Sequence, residues 1–276
     1  MPKKQLILTL ETIASLLIVE ILVLVIGIRI ETLSVLSGVL APAITAQQFL
    51  FTFLISTALL LFLIKTLRRQ RIIFEVLFII SVLLGVWLIF TLISPSAAFI
   101  LALVTVALRY IFPLVIIQNI VLMLGIAGIA AALGLATPWQ TMAIVLAALA
   151  VYDIIAVYGT RHMVAMFRGL LEKGVIFALV LPDKPTMFFN PLNKVQPGAG
   201  FFFLGSGDVA LPAIFVASAF REGFGPAIGA AVGSVIGLAL TTTLFAWGKK
   251  RPMPALPPIS LGTILGFFVV KLFSGF

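Results

Sequence analysis

Apolar runs of about 20 residues recur along the whole chain and constrain its fold more than any other feature. A helix of that length crosses the roughly 30 Å hydrocarbon layer of a bilayer, whereas transmembrane barrels show weaker, alternating segments of about 10 residues. The 276 residues are 62% hydrophobic and only 10% charged, unlike those of a soluble domain. We therefore predict an all-α, polytopic membrane protein without a separate soluble domain.

The division of residues 97–136 decides how many spans there are. This run is interrupted only by RYIFP and QN, and as a single helix it would be about 60 Å long, twice the bilayer core. We therefore place a turn near Arg109 and Pro113. The complete prediction is nine spans, at residues 6–28, 45–64, 72–93, 96–112, 114–136, 138–159, 201–220, 225–247 and 257–275.

The basic residues favour one side of the membrane. With nine spans and a cytoplasmic N-terminus, the inner side holds all but three of the 18 Lys and Arg residues, the exceptions being Arg29, Arg221 and Lys271. Cytoplasmic loops of membrane proteins are enriched in Lys and Arg. The bias thus supports the span count, and it assigns the net charge of +9 to inner loops rather than to nucleic-acid binding.

The spans divide the chain into three regions. Residues 1–160 form an N-terminal transmembrane bundle of six spans, residues 161–200 a cytoplasmic loop, and residues 201–276 a C-terminal bundle of three spans. The loop contains the apolar patch VIFALVLP, which is too short to cross a membrane. Glycines at every fourth position of span eight predict close packing against another helix. They are Gly225, Gly229, Gly233 and Gly237.

Two acids lie within the apolar spans at the same predicted depth. Asp153 in span six and Asp208 in span seven are each about 10 Å below the cytoplasmic surface, from the helical rise. Intramembrane acids are costly and usually functional. Two carboxyl groups that share a site hold one proton between them, so one can accept a proton from water while the other donates to a carbonyl oxygen. Burial and depth alone support aspartic proteolysis and an ion-coupled transporter or cation leak equally.

Residue types restrict the alternatives. The chain has no Cys and a single His, His162, which excludes disulfides, thiolate catalysis and a multi-histidine zinc site. We expect no metal and no other cofactor. Span one holds two further acids. Glu11 is close enough to the inner end to reach the interface, while Glu20 is either a structural partner or a polar lining residue.

The neighbours of the two acids indicate a site. Gly205 and Gly207 weaken a helix and favour a position for Asp208 at the start of span seven, beside a small wet space. Tyr152 precedes Asp153, and its hydroxyl group either lines the edge of the site or anchors the helix at the interface.

Prolines open span nine. They either keep the segment extended, with backbone groups that can pair with a peptide strand, or start a helix. The motif alone favours a helix start. The prolines are Pro254, Pro257 and Pro258.

Three motifs follow one another in spans six, seven and nine: YD at 152–153, G-x-G-D at 205–208 and PALP at 254–257. Their combination resembles the presenilin and signal-peptide-peptidase family of intramembrane aspartyl proteases, closely in the C-terminal half and through span count alone in the N-terminal half. The resemblance implies that Asp153 and Asp208 are the catalytic pair. It also implies supporting residues, with Tyr152, Gly205, Ser206 and Gly207 beside the acids and Pro254, Ala255, Leu256 and Pro257 positioning the substrate.

The resemblance also carries expectations about location and partners. It implies transmembrane-helix substrates, a bilayer environment, a cytoplasmic N-terminus and 6/7 loop, and an outer C-terminus. The charge bias, PALP and the short inner loop favour a presenilin-like prokaryotic, archaeal homologue in the cell membrane. Ser206 stands where presenilins commonly carry Leu, which concerns substrate preference. A scaffold with paired buried charges, or a prepilin-type peptidase that also uses a G-x-G-D aspartate, is disfavoured.

Overall fold

The computed structural model describes residues 3–37, 70–160, 176–196, 199–247 and 254–273, with isolated residues between 45 and 62. These residues form eight α-helices and a two-stranded sheet. The helices are α1 (Lys3–Ser37), α2 (Gln70–Thr91), α3 (Ala98–Ile111), α4 (Val115–Ala136), α5 (Trp139–Ile154), α6 (Ser206–Ala219), α7 (Phe224–Trp247) and α8 (Leu256–Phe273), and the strands are β1 (Ala178–Pro182) and β2 (Phe201–Gly205).

The helical membrane architecture is confirmed. In the part of the chain that the structure describes, six helices are long and apolar enough to cross a bilayer, namely α1, α2, α4, α5, α7 and α8. Helices α3 and α6 have 14 residues each. Most of the predicted second span, and the basic residues between 161 and 173, lie outside the described residues, so the number nine stays a prediction.

The predicted turn between spans four and five is confirmed. Helix α3 ends at Ile111 and α4 begins at Val115, with Pro113 between them and Arg109 in the last turn of α3. The polar pair QN, however, does not belong to this turn. Gln118 and Asn119 lie inside α4 and are both buried.

One short sheet replaces part of a predicted helix. The expectation that span seven is helical from residue 201 is wrong for its first five residues, because Phe201–Gly205 form β2. This strand pairs antiparallel with β1, from Ala178 opposite Gly205 to Pro182 opposite Phe201. Bulky aromatic residues favour strands, and every residue of β1 is buried. From Ile176 onward, the patch VIFALVLP therefore lies within the protein, with β1 as its core.

Helix α7 corresponds to the predicted span eight, and its regularly spaced glycines let it pack closely against α8. A methyl group at Gly233 would overlap the carbonyl oxygen of Gly262, and one at Gly229 would overlap that of Gly266. Gly237 approaches the carbonyl oxygen of Pro258 in the same way. The prediction of close helix packing is thus confirmed for three of the four glycines.

The α7–α8 contact gives a stability prediction. We expect Gly233→Val to lower the free energy of unfolding by about 1–3 kcal/mol, since the two backbones must separate to admit the side chain. Thermal unfolding in detergent measures the effect. Val232→Leu is the matched control, because the Val232 side chain on the same helix is exposed. Equal melting temperatures for the two variants would contradict the packing described here.

Glu20 is a structural partner of α7. Its side chain is 1% exposed. The hydroxyl oxygen of Ser234 is 2.5 Å from Glu20 Oε1 and 2.7 Å from the carbonyl oxygen of Ala231. Because this hydroxyl group carries a single proton, both contacts are hydrogen bonds when the Ser234 proton goes to Ala231 and a protonated Glu20 donates to Ser234.

A neutral Glu20 predicts which substitutions the core tolerates. We expect Glu20→Gln to leave the free energy of unfolding within about 0.5 kcal/mol, because an amide has the same shape and can donate to Ser234. Glu20→Ala should lower it by about 2–4 kcal/mol through the cavity it leaves. Calorimetry on the two variants checks the difference, and a strong loss in Glu20→Gln would show that the group is ionised.

Candidate active site

Asp153 lies at the C-terminal end of α5. The helix continues from it into a π-helical turn, Ile155–Thr160, and such turns are frequent at functional sites. The side chain is 8% exposed, and its Oδ2 accepts a hydrogen bond of 3.1 Å from the backbone N–H of Leu256. Leu256 is the first residue of α8, so its N–H has no acceptor within that helix. A free helix terminus thus orients the carboxyl group.

Asp208 lies in the first turn of α6 and is half-buried. Its carboxyl group is close enough to that of Asp153 to interact with it electrostatically. Helices α5, α6 and α8 all pack against one another. The structure brings the two predicted acids together, and their catalytic role stays a prediction.

The two glycines of the G-x-G-D motif have different surroundings. A methyl group at Gly205 would lie 2.9 Å from Oδ2 of Asp208, so this glycine makes room for the carboxyl group. Gly207 is exposed, and a methyl group there would meet no heavy atom of the described residues within 4 Å. Between them, the Ser206 N–H donates to the carbonyl oxygen of Phe177 over 3.3 Å and fixes the step from β2 to α6.

The PALP segment reaches the acids through its backbone. Pro254 is buried and precedes α8, which begins at Leu256 with Pro257 and Pro258 in its first turn. The favoured interpretation of these prolines as a helix start is confirmed. No sequence pattern indicated the hydrogen bond from Leu256 to Asp153. The segment therefore contacts an acid directly, in addition to the substrate-positioning role that the resemblance implies.

Two other candidates lie apart from these contacts. The Tyr152 side chain is 66% exposed, and the structure does not bring it into the buried surroundings of Asp153. Glu11 on α1 is half-buried and interacts electrostatically with Asp183, directly after β1.

Sequence reasoning missed the polar contacts between α4 and the β1 segment, next to the site. Gln118 and Asn119 bind the backbone of the segment that contains β1. The signal was present, because a polar QN pair inside an apolar run is as unusual as a buried acid. It was interpreted only as an interruption between spans.

Comparisons with known proteins agree with this geometry. The model of the family described as "Signal-peptide peptidase, presenilin aspartyl protease" matches residues 12–276. A solved presenilin family intramembrane aspartate protease in space group C222 is similar at 25% identity and a TM-score of 0.66, over 96% of this chain and 99% of that one. A structure in space group P2 is similar at 26% identity and a TM-score of 0.66, over 96% and 97%. No curated protein matches significantly. The chain belongs to the signal-peptide peptidase and presenilin family of aspartyl proteases.

Proposed function

We propose that this family member hydrolyses peptide bonds within or near transmembrane segments, with Asp153 and Asp208 activating a water molecule. The observation that carries the proposal is that Asp153 and Asp208 lie on two helices that pack together and are close enough for their carboxyl groups to interact electrostatically. One carboxylate takes a proton from water as its oxygen attacks the peptide carbonyl, while the other carboxyl group protonates that carbonyl oxygen. The C–N bond then breaks and the amine leaves with a proton. The pair shares the proton, so neither acid has a fixed role.

The backbone of α8 prepares Asp153 for this reaction. The backbone N–H of Leu256 donates to Oδ2, and the backbone of Ala255 also stabilises the carboxyl group by hydrogen bonding. A preorganised donor avoids reorganisation during the reaction. Asp153 therefore depends on the position of α8.

The substrate must be extended at the scissile bond, because a helical peptide bond is shielded by its own hydrogen bonds and side chains. Strand β2 lies at the edge of the described sheet and ends three residues before Asp208. We propose that the unwound substrate lies alongside β2, as in other strand additions. The PALP segment and the exposed Tyr152 and Gly207 are then placed to contact it.

The protein is a multi-pass integral membrane protein. Its orientation, the type of cell membrane and its division into regions belong to the same proposal. The bias of basic residues supports an orientation with the N-terminus and the 6/7 loop inside and the C-terminus outside. The short inner loop supports a prokaryotic cell membrane. The proposed regions are residues 1–160, 161–200 and 201–276. An ion-coupled transporter has no support from the family match or the similar structures.

The test is mass spectrometry of the products formed from a model transmembrane peptide by the purified enzyme in liposomes. We expect peptides that are cut within or at the edge of the apolar segment, each with the mass of hydrolysis. Intact peptide together with solute or ion flux would contradict the proposal.

A further inference from the structure

On one edge of β1, the side-chain amide of Asn119 makes the hydrogen bonds that the backbone of a neighbouring strand would make. The residue lies near the start of α4 and is 5% exposed. Its Nδ2 donates to the carbonyl oxygen of Val180 over 2.7 Å, and the N–H of Val180 donates to its Oδ1 over 2.9 Å. A side-chain amide has the donor and the acceptor of a peptide group. Asn119 thus fills the place that a third strand would take.

The direction of these bonds shows which edge is covered. Both backbone groups of Val180 point to α4, so its pair with Phe203 is one without ladder hydrogen bonds. Ile176 is four residues earlier and therefore exposes its carbonyl on the same edge. That oxygen accepts a hydrogen bond of 3.0 Å from Nε2 of Gln118. The side-chain amides of Gln118 and Asn119, called the α4 amides below, therefore bind this edge at Ile176 and at Val180.

The α4 amides are themselves held in place. Arg109 is buried on α3, and its Nε donates to Oε1 of Gln118. The guanidinium group lies over the ring of Phe78, with 4.4 Å from Cζ to the ring centroid. The amide of Gln118 therefore has a fixed orientation, with its oxygen on Arg109 and its nitrogen on Ile176.

The opposite end of α4 contacts α6. A methyl group at Gly134 would overlap the carbonyl oxygen of Ile214 and the side chain of Ala217. Asp208 lies between β2 and the body of α6. Hence α4 fixes both neighbours of Asp208, the sheet through Asn119 and the helix through Gly134.

We propose that Asn119 is a positioning residue that sets the β1–β2 sheet in register with Asp208 and thereby selects the substrate bond that reaches the two acids. The inference rests on the proposed function, with substrate alongside β2. When Asn119 is removed, Val180 loses both of its hydrogen bonds to α4 and only the bond from Gln118 to Ile176 remains on this edge, so the sheet can shift relative to α6. A substrate strand that follows the sheet would then be cut at neighbouring bonds.

The test uses Asn119→Ala and Asn119→Leu, with Ile120→Ala as matched control because Ile120 is exposed on the same helix. Leucine is similar in size to Asn119, but its side chain can neither donate a hydrogen bond to Val180 nor accept one from it. For both variants we expect cleavage at several adjacent bonds instead of one. We also expect KM to rise about tenfold, which is the effect of losing one or two hydrogen bonds that help to order the substrate. The value of kcat should stay within about threefold. Ile120→Ala should behave like the unmodified enzyme.

The outcomes separate the two proposals. Unaltered products and KM in both Asn119 variants would overturn the role of Asn119, and so would a fall in kcat with an unchanged product pattern. No cleavage by the unmodified enzyme would instead overturn the proposed function.

A second experiment measures amide hydrogen exchange in the unmodified protein and needs no variant. The Val180 amide should exchange as slowly as that of Leu181 in the β ladder, and rapid exchange at Val180 would overturn the proposal.

Discussion

Replacing Asp153 or Asp208 by Asn is expected to lower the rate of peptide cleavage about 10³-fold or more, because the proposed reaction needs each acid for proton transfer. An amide can neither take a proton from water nor return one to the carbonyl oxygen. In Asp153→Asn the amide oxygen would still accept the hydrogen bond from Leu256, so the helix contact should survive. Product formation from a transmembrane reporter in liposomes, followed over hours, measures the loss.

The control for this experiment is a third acid. Asp183 follows β1 and is half-buried, as Asp208 is, and Asp183→Asn should retain cleavage within about threefold. The melting temperatures of Asp153→Asn and Asp208→Asn should match that of the unmodified protein or exceed it, since each substitution removes a partly buried acid. Cleavage that persists in either of these two variants would exclude that residue from the reaction.

Gly205→Ala is expected to lower kcat about 10²-fold while leaving the fold intact. The backbone at Gly205 has φ −57° and ψ 135°, which any L-residue adopts. The added methyl group would lie 2.9 Å from Oδ2 of Asp208, and the short carboxyl side chain can rotate away from it. A displacement of about 1 Å in a reacting group can cost about 10²-fold in rate. Cleavage kinetics and thermal unfolding of the same preparation separate the two effects.

Gly207→Ala is the matched control, two residues along the same motif. Its methyl group would meet no heavy atom of the described residues within 4 Å, and alanine is a better helix former by about 1 kcal/mol. We expect unchanged activity and equal or greater stability. If Gly205→Ala were as active as Gly207→Ala, the contact between Gly205 and Asp208 would have no part in the reaction.

The helices could be predicted because their cause is local. A run of about 20 apolar residues is a spanning helix whatever surrounds it, and glycines at a spacing of four fix a packing face without reference to the partner. The break near Pro113 followed from bilayer thickness. The approach of Asp153 and Asp208 followed from the span count, since both had to lie at the same end of neighbouring helices.

The remaining contacts are not local. Strand β1 is a strand because Asn119 and β2 supply its partners, and β2 begins 19 residues after β1 ends at Pro182. The hydrogen bond from Leu256 spans 103 positions of the chain, and that between Ser234 and Glu20 spans 214. Apolar periodicity contains no information on such pairs. The unusual residues Glu20, Gln118 and Asn119 could be singled out, but their partners could not.

The hydrogen bond from Leu256 to Asp153 also has a consequence for biosynthesis. Membrane helices are inserted in the order in which the ribosome makes them, and α8 follows all other described helices. A chain made only as far as α7 already contains both acids, yet it lacks the donor that orients Asp153. From the proposed role of Asp153, we therefore expect proteolytic activity to arise only with the last of these helices. Before α8 is inserted, we expect the unfinished enzyme not to cleave neighbouring nascent helices.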